Sequence, residues 1–123
     1  MLFRSQLGWI AFAQHREDRH RLIGTERLVA VFAMLSERDP AQLIAALRTL
    51  DPDDVVFTEP ASAAGHAVSA DVLAKMYGSH GYAVLPAARA LERAREISGP
   101  KGNVLVCGSL YLVGEILALG LGT

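Results

Sequence analysis

Polar residues follow three of the predicted strands, at the points where those strands end. They are Ser36 to Asp39 after the first strand, Thr58 and Glu59 after the second, and Gly108 and Ser109 after the last. In an open α/β sheet the carboxyl ends of parallel strands share one edge, and ligands bind there. Hydroxyl, carboxylate and guanidinium groups at that edge would form a pocket for an anion or an amino acid. The alternative is that the same residues only cap helices and shape turns.

Gly108 and Ser109 interrupt the most apolar stretch of the chain. A short run from Asn103 to Cys107 has the length of a buried strand, and an apolar helix follows with Ser109 in the capping position. Such a turn leaves backbone N–H groups unpaired at the start of the helix, where the helix dipole favours an anion. Turns of this kind also occur in α/β folds without a ligand, so spacing alone leaves both interpretations open.

Several chemical motifs are missing from the sequence. It contains no G-x-x-x-x-G-K-[ST] phosphate loop, no G-x-G-x-x-G fingerprint and no G-x-S-x-G elbow. Cys107 is the single cysteine, which excludes an internal disulfide and a cysteine-based zinc site. His15 and His20 are not spaced to share one helical face, and we expect both at the surface. Independent nucleotide hydrolysis, dinucleotide binding and a metal site are therefore not indicated.

Four strand–helix units are predicted to position the polar residues. The predicted strands are Arg27–Ala33, Asp54–Glu59, Tyr82–Leu85 and Asn103–Cys107. The helices are predicted to begin after Asp39, after Ser69, at Pro86 and after Ser109. This alternation predicts an α/β fold, a Rossmann-like three-layer α/β/α arrangement with a mostly parallel sheet.

Length and composition indicate one folded domain. The chain has 123 residues, of which 51% are hydrophobic and 20% charged, an ordinary globular balance. With 12 Lys and Arg against 13 Asp and Glu, it lacks the charge of a nucleic-acid binder. Glu115 and the Gly108 break argue against a membrane span in the apolar C-terminal part. Because Leu7–Ala13 also lacks the basic region of a signal peptide, we expect a cytoplasmic protein.

The stretch Val104–Ile116 reads V-L-V-C-G-S-L-Y-L-V-G-E-I, and it resembles the closing segment of folylpolyglutamate and dihydrofolate synthases. These enzymes are the folate branch of the Mur ligase superfamily. Two further motifs match: Val29–Asp39, which ends in S-E-R-D where relatives have a D-K-D-like turn, and Val55–Pro60, which ends in T-E-P. The resemblance extends from about Arg27 to Ile116 and implies the Mur ligase C-terminal domain fold.

The resemblance implies an ATP-dependent ligase that adds L-glutamate to folate or dihydropteroate. In the family, the carboxylate of that substrate is phosphorylated and the amino group of glutamate attacks the acyl phosphate. ATP and Mg are bound mainly by a central domain, which is absent from this chain. The C-terminal domain helps to bind glutamate and ATP. By resemblance, Ser109 with Gly108 would hold glutamate, Arg38 and Asp39 would line the cleft, and His66 would contact an anion only when protonated.

The first 24 residues depart from the family pattern. Relatives open this domain with a strand that ends in D-G-A-H-N-P, and the chain has no such motif. We interpret residues 1–24 as an atypical segment, with Met1–Ser5 a false start on a truncated coding sequence and Leu7 onward the remnant of a helix. Residues 25–123 form the Mur ligase C-terminal-like domain. A sheet lacking a central strand would expose backbone groups, so we expect a homodimer or strand exchange.

Two functions of different classes remain open from the sequence. The first is the substrate-binding domain of such a ligase, inactive without its central domain. The second is a free-standing α/β binding or interaction module without catalysis. An unrelated small α/β enzyme is less favoured, because no nucleophile or metal motif is present.

Overall fold

The structure is a computed structural model that describes residues 2–5, 8–11, 27–63 and 65–119. Within these residues the strands are β1 (Leu2–Ser5), β2 (Gly8–Ala11), β3 (Leu28–Ala33), β4 (Asp54–Phe57), β5 (Gly81–Ala83) and β6 (Asn103–Gly108). They form a six-stranded sheet in the order β1-β2-β6-β3-β4-β5. All neighbouring pairs are parallel except β1 and β2, which form an antiparallel pair at one edge.

Helices cover both faces of this sheet. The α-helices in the described residues are α1 (Pro40–Thr49), α2 (Ala70–Tyr77), α3 (Ala87–Ser98) and α4 (Leu110–Ala118). The helices α1 and α2 pack on one face, and α3 and α4 pack on the other. A 3-10 turn, Ala61–Ala63, precedes α2. The predicted three-layer α/β/α fold is therefore confirmed.

The middle of the core is built on β3, which is buried along its whole length. Leu28, Ala30 and Phe32 face the layer of α1 and α2. The intervening residues face the layer of α3 and α4. A strand that is covered on both faces needs apolar side chains at every position, which is why this run is continuous and not alternating.

The helix starts follow from capping residues that can be read from the sequence. Asp39 caps α1 and Ser109 caps α4, and each side chain accepts the N–H two residues further on at 3.0 Å. Ser69 caps α2 by accepting the N–H of Val72 at 3.4 Å. These three caps were predicted, and they are confirmed. None of the helices in the described residues is long and apolar enough to cross a membrane.

The N-terminal segment differs from its prediction. We expected the remnant of a helix from Leu7 onward, but Gly8–Ala11 is the strand β2 and Leu2–Ser5 is the strand β1. For these residues the prediction is wrong. The run is too short to show a helical period, and β6 offers a parallel partner in register, with Ile10 opposite Val104. Most of the remaining N-terminal segment, including His15 and His20, lies outside the described residues.

The pairing of β2 also corrects the expectation of a missing strand. β6 has β2 on one side, paired at Val104 and Leu105, and β3 on the other side, paired from Asn103 to Gly108. The strand that was expected to be missing is therefore replaced over these two residues, and the homodimer stays a prediction. The segment that the sequence analysis set apart as residues 1–24 contributes two strands to the same sheet as the rest of the chain.

Candidate functional site

Three chain segments meet at the carboxyl ends of β3 and β6. They are the turn after β3 at residues 34–39, the loop at residues 61–68, and the turn at residues 108–111 between β6 and α4. Because β3 and β6 are adjacent parallel strands, their carboxyl ends lie side by side. The topology thus brings distant parts of the sequence to one edge of the sheet.

Backbone hydrogen bonds hold the first two segments together. The N–H of Ser36 donates to the carbonyl of His66 at 2.7 Å, and the N–H of Val68 donates to the carbonyl of Met34 at 2.9 Å. The residues between these bonds form an isolated antiparallel bridge. His66 is therefore fixed beside the turn that carries Arg38.

A side chain of α4 fastens the same loop from the other side. The Oε1 atom of Glu115 accepts the N–H of Ser62, in the 3-10 turn, at 2.6 Å. Glu115 lies in the helix that begins after Ser109. The described residues of this loop are thereby bonded to the turn after β3 and to α4, which favours a preformed site.

Gly108 allows β6 to turn close to the end of β3. It pairs in register with Ala33, and its φ of +97° lies in the left-handed region. A Cβ atom at this position would lie 2.1 Å from the carbonyl oxygen of Ala33, far inside van der Waals contact. The turn therefore requires glycine, and it places Ser109 directly beside the segment that follows β3.

The carboxyl-edge groove, as we call the opening between these segments, consists of two adjoining cavities. The first has a volume of about 200 Å³ and the second about 240 Å³. They share the lining residues Leu35, Glu37 and Tyr111. The first is also lined by Met34, Arg38, Leu43, Gly108 and Ser109, and the second by Ser62, Ala63 and His66. Each cavity lies below the range of about 300–1,000 Å³ typical of drug-sized ligands, so each suits a group the size of an amino acid.

The polar groups of the first cavity have hydrogen-bonding capacity to spare. Within the described part of the chain, the side chains of Arg38 and Glu37 form no hydrogen bond or ion pair. The hydroxyl oxygen of Ser109 accepts the N–H of Tyr111, so its own proton remains available to an acceptor in the cavity. A guanidinium and a hydroxyl donor at the N-terminus of α4 form a suitable environment for a carboxylate.

The structure brings four of the five predicted site residues to the groove. Arg38, Gly108 and Ser109 line the first cavity, and His66 lines the second. Asp39 lines neither cavity, because its carboxylate turns back to cap α1. The position of these residues is observed, whereas their contacts with a substrate stay predictions.

Two other polar residues considered in the sequence do not reach the groove. The side chain of Thr58 is completely buried, and its Oγ1 has no hydrogen-bond partner among the described residues. Glu59 accepts the N–H of Ala70 at 2.9 Å and so caps the start of α2. Glu59 therefore serves as a helix cap, and Thr58 is part of the packed interior.

Cys107 is not a nucleophile of this site. Burial raises the pKa of its thiol to about 12, because the thiolate would lose its hydration. The thiol is therefore protonated near neutral pH and reacts slowly. The expectation that Cys107 packs as a small hydrophobic residue agrees with its contacts against the core on the α1 and α2 face.

The described residues show no cluster of metal-ligating side chains. They contain no group of three or more His, Cys, Asp or Glu side chains close enough to hold a metal ion. Magnesium bound with a nucleotide needs carboxylate oxygens beside a phosphate cradle, and no phosphate loop occurs in the sequence. The donors that line the carboxyl-edge groove suit a small organic acid.

Glu37 and Tyr111 are two lining residues for which the sequence predicted no role of their own. Glu37 was seen only as part of a polar turn, and Tyr111 as one letter of a motif. The signal that identifies them is spatial, since both line the two cavities at once. Tyr111 is 49% exposed although it is aromatic, which places an apolar ring at the open side of the groove.

No protein-family model matches the chain, and no curated protein sequence matches it. Solved structures do match. E. coli FolC in complex with DHPP and ADP has a TM-score of 0.76 and 22% identity, over 94% of this chain and 29% of that one. Mycobacterium tuberculosis folylpolyglutamate synthase complexed with ADP and AMPPCP has a TM-score of 0.74 and 18% identity, over 90% and 29%.

A third similar structure is a bifunctional folylpolyglutamate synthase/dihydrofolate synthase with Mn, AMPPNP and L-glutamate bound. Its TM-score is 0.67 and its identity 17%, over 97% of this chain and 30% of that one. The chain therefore spans about 30% of the length of these proteins. At such identities the likeness shows a shared fold, and the resemblance inferred from the sequence is confirmed at that level.

Proposed function

We propose that this chain is the glutamate-binding domain of an ATP-dependent ligase that adds L-glutamate to folate or dihydropteroate. The observation that carries the proposal is the first cavity of the groove, a small and partly open space lined by Arg38 and Ser109, whose guanidinium and hydroxyl proton have no acceptor among the described residues. Support comes from the fold, which is shared with folylpolyglutamate synthases. One of the similar structures has L-glutamate bound.

Arg38 and Ser109 are the residues that we assign to a carboxylate of glutamate. A guanidinium binds a carboxylate through two parallel N–H···O bonds, and such charge-assisted bonds are stronger than neutral ones. The Ser109 hydroxyl would donate a further bond while it keeps its cap contact with Tyr111. His66, in the second cavity, is placed to attract another anionic group when its imidazole is protonated.

Gly108 and Asp39 contribute to this binding as positioning residues. Gly108 brings the start of α4 close to the end of β3. Asp39 fixes the start of α1 directly after Arg38, so the guanidinium is carried on a turn that is anchored at its far end. Neither role needs a direct contact with the substrate.

The activation of the folate carboxylate lies outside the part of the molecule described above. In a ligase of this type, a phosphorylated carboxylate is attacked by the amino group of glutamate, and ATP with a divalent metal supplies the phosphoryl group. By the resemblance to the folate ligases, we assign that step to their central domain. We expect the chain with ATP, Mg, folate and L-glutamate to release no ADP above a heat-denatured control. Turnover above that control would show that the chain is a complete catalyst.

Binding of L-glutamate is the prediction that tests the proposed function. We expect millimolar L-glutamate to shift the backbone NMR signals of Arg38, Gly108, Ser109 and Tyr111 in the full chain. Replacing Arg38 by alanine removes the cation and should weaken binding about tenfold or more, since a charge-assisted pair is worth about 1.5–3 kcal/mol. Arg38→Lys keeps the charge without the two-pronged geometry and should lose less.

The matched control is Arg93→Ala, on the exposed face of α3. This helix packs on the face of the sheet opposite to α1, the helix that follows Arg38. This variant also removes one positive charge, so it reports any effect of net charge alone. Equal weakening by Arg38→Ala and Arg93→Ala would contradict a specific role for Arg38. Signal changes confined to residues outside the groove would contradict the proposed function itself.

A further inference from the structure

Glu37 occupies the junction of the carboxyl-edge groove. It lines both cavities, whereas Arg38, the next residue, lines only the first. Its carboxylate is exposed and forms no hydrogen bond or ion pair with any residue that the structure describes. The first cavity is thus bordered by one positive and one negative side chain that do not neutralise each other.

The turn that carries Glu37 is held in place by its backbone. The N–H of Arg38 donates to the carbonyl of Leu35 at 3.2 Å, which closes the turn around Glu37. The N–H of Ser36 is bonded to the carbonyl of His66, and this joins the turn to the neighbouring loop. Because the turn is anchored on both sides, little backbone entropy is lost when the Glu37 carboxylate binds a cation in the groove.

An α-amino acid carries the two charges that this arrangement complements. Its carboxylate suits the guanidinium and hydroxyl donors of the first cavity, and its ammonium group needs an acceptor a short distance away. A metabolite without charged groups would form no ion pair with either Arg38 or Glu37. A plain dicarboxylate would use Arg38 but would be repelled by Glu37.

We propose that Glu37 binds the α-ammonium group of the amino acid, and that it makes the groove select a zwitterionic amino acid over a dicarboxylate of the same length. This inference rests on the proposed function, because it takes the ligand of the groove to be glutamate. It adds a specificity determinant at a residue that has no charge partner among the described residues. It also orients the amino group of the ligand towards the junction of the two cavities.

Glutarate is the probe that isolates this contact, since it has the two carboxylates of L-glutamate and lacks the ammonium group. The two ligands are titrated separately into the full chain and into Glu37→Gln, with backbone NMR signals as the readout. The wild-type chain should bind L-glutamate about tenfold more tightly than glutarate, the effect expected of one charge-assisted hydrogen bond. Glu37→Gln should bring the two affinities to within about twofold, in part by strengthening glutarate binding through lost repulsion.

Glu92→Gln is the control, because Glu92 lies on the exposed face of α3 and its replacement changes the net charge equally. It should leave the preference for L-glutamate intact. A wild-type chain that binds neither ligand would overturn the proposed function. A chain that binds L-glutamate in the groove and keeps the full preference in Glu37→Gln would overturn only the role of Glu37. Because Glu37 is exposed and its side chain has no partner in the described part of the chain, we expect its replacement to leave the fold intact, which circular dichroism checks.

Discussion

Replacing Gly108 by alanine is expected to destabilise the chain by roughly 3 kcal/mol, the upper end of the cost of a left-handed backbone at a residue other than glycine. The φ of +97° is unfavourable for any side chain. In addition, the new Cβ would lie 2.1 Å from the Ala33 carbonyl oxygen and 3.1 Å from the Phe32 ring, so β6 and β3 must separate at this end. Chemical denaturation followed by circular dichroism measures the change.

Gly114→Ala is the matched control for this substitution. Gly114 lies within α4, and a Cβ atom there would meet nothing within 4 Å. Alanine in a helix is favoured over glycine by about 0.8–1 kcal/mol, so this variant should be slightly more stable than the wild type. The same substitution is thus predicted to lower the free energy of unfolding at Gly108 and to raise it at Gly114, six residues later. Similar effects at the two positions would contradict the tight turn between β6 and α4.

Asp54→Asn is expected to cost roughly 2–3 kcal/mol, the upper end of the cost of leaving a buried polar group without one of its partners. The Asp54 side chain is only 4% exposed. One carboxylate oxygen accepts from Arg27 at 2.8 Å and the other lies 3.2 Å from Nδ1 of His80. Arg27 precedes β3 and His80 precedes β5, so a single carboxylate joins the amino ends of three neighbouring strands.

The cost of this substitution arises mainly from the buried group and not from the charge attraction. Arg27 and His80 are both more than half exposed, so water screens their attraction to Asp54. An asparagine that keeps its amide oxygen towards Arg27 turns a buried N–H₂ towards Nδ1 of His80, which accepts it only if that nitrogen carries no proton. Denaturation at neutral pH measures the loss, and Asp71→Asn is the control on an exposed first turn of α2. That control should cost at most about 0.5 kcal/mol, and an equal loss in both variants would contradict the role of Asp54.

The elements that the sequence predicted well are those fixed by local interactions. Asp39, Ser69 and Ser109 cap their helices through bonds to residues two or three positions away, so the pattern carries the information. The buried strand Leu28–Ala33 is equally clear, because a strand covered on both faces requires an unbroken apolar run. The α/β order followed from these units.

The elements that the sequence missed depend on partners far along the chain. Gly8–Ala11 is a strand because β6, some 90 residues later, offers a parallel edge, and nothing within the short segment reports this. Asp54 was read as the start of a strand, and its bonds to Arg27 and His80 could not be inferred from spacing.

The candidate site was predicted in its outline and not in its details. The carboxyl edge was the expected place, and Arg38, Gly108, Ser109 and His66 lie there. Asp39 and Glu59 have the residue types of a binding site, but helix caps use both carboxylates. Glu37 belongs to the same short turn. It became a candidate only because it lines both cavities and its carboxylate has no hydrogen-bond or ion-pair partner among the described residues.

A crystal structure of the full chain with L-glutamate is the most direct test of the central claim, that the carboxyl-edge groove binds this amino acid by both of its charges. We predict density for the ligand with a carboxylate within hydrogen-bond distance of the Arg38 guanidinium and the Ser109 hydroxyl. The ammonium group should face the carboxylate of Glu37. An L-glutamate molecule bound elsewhere on the chain, or in the groove with its ammonium group turned away from Glu37 and its carboxylates away from Arg38, would contradict the account.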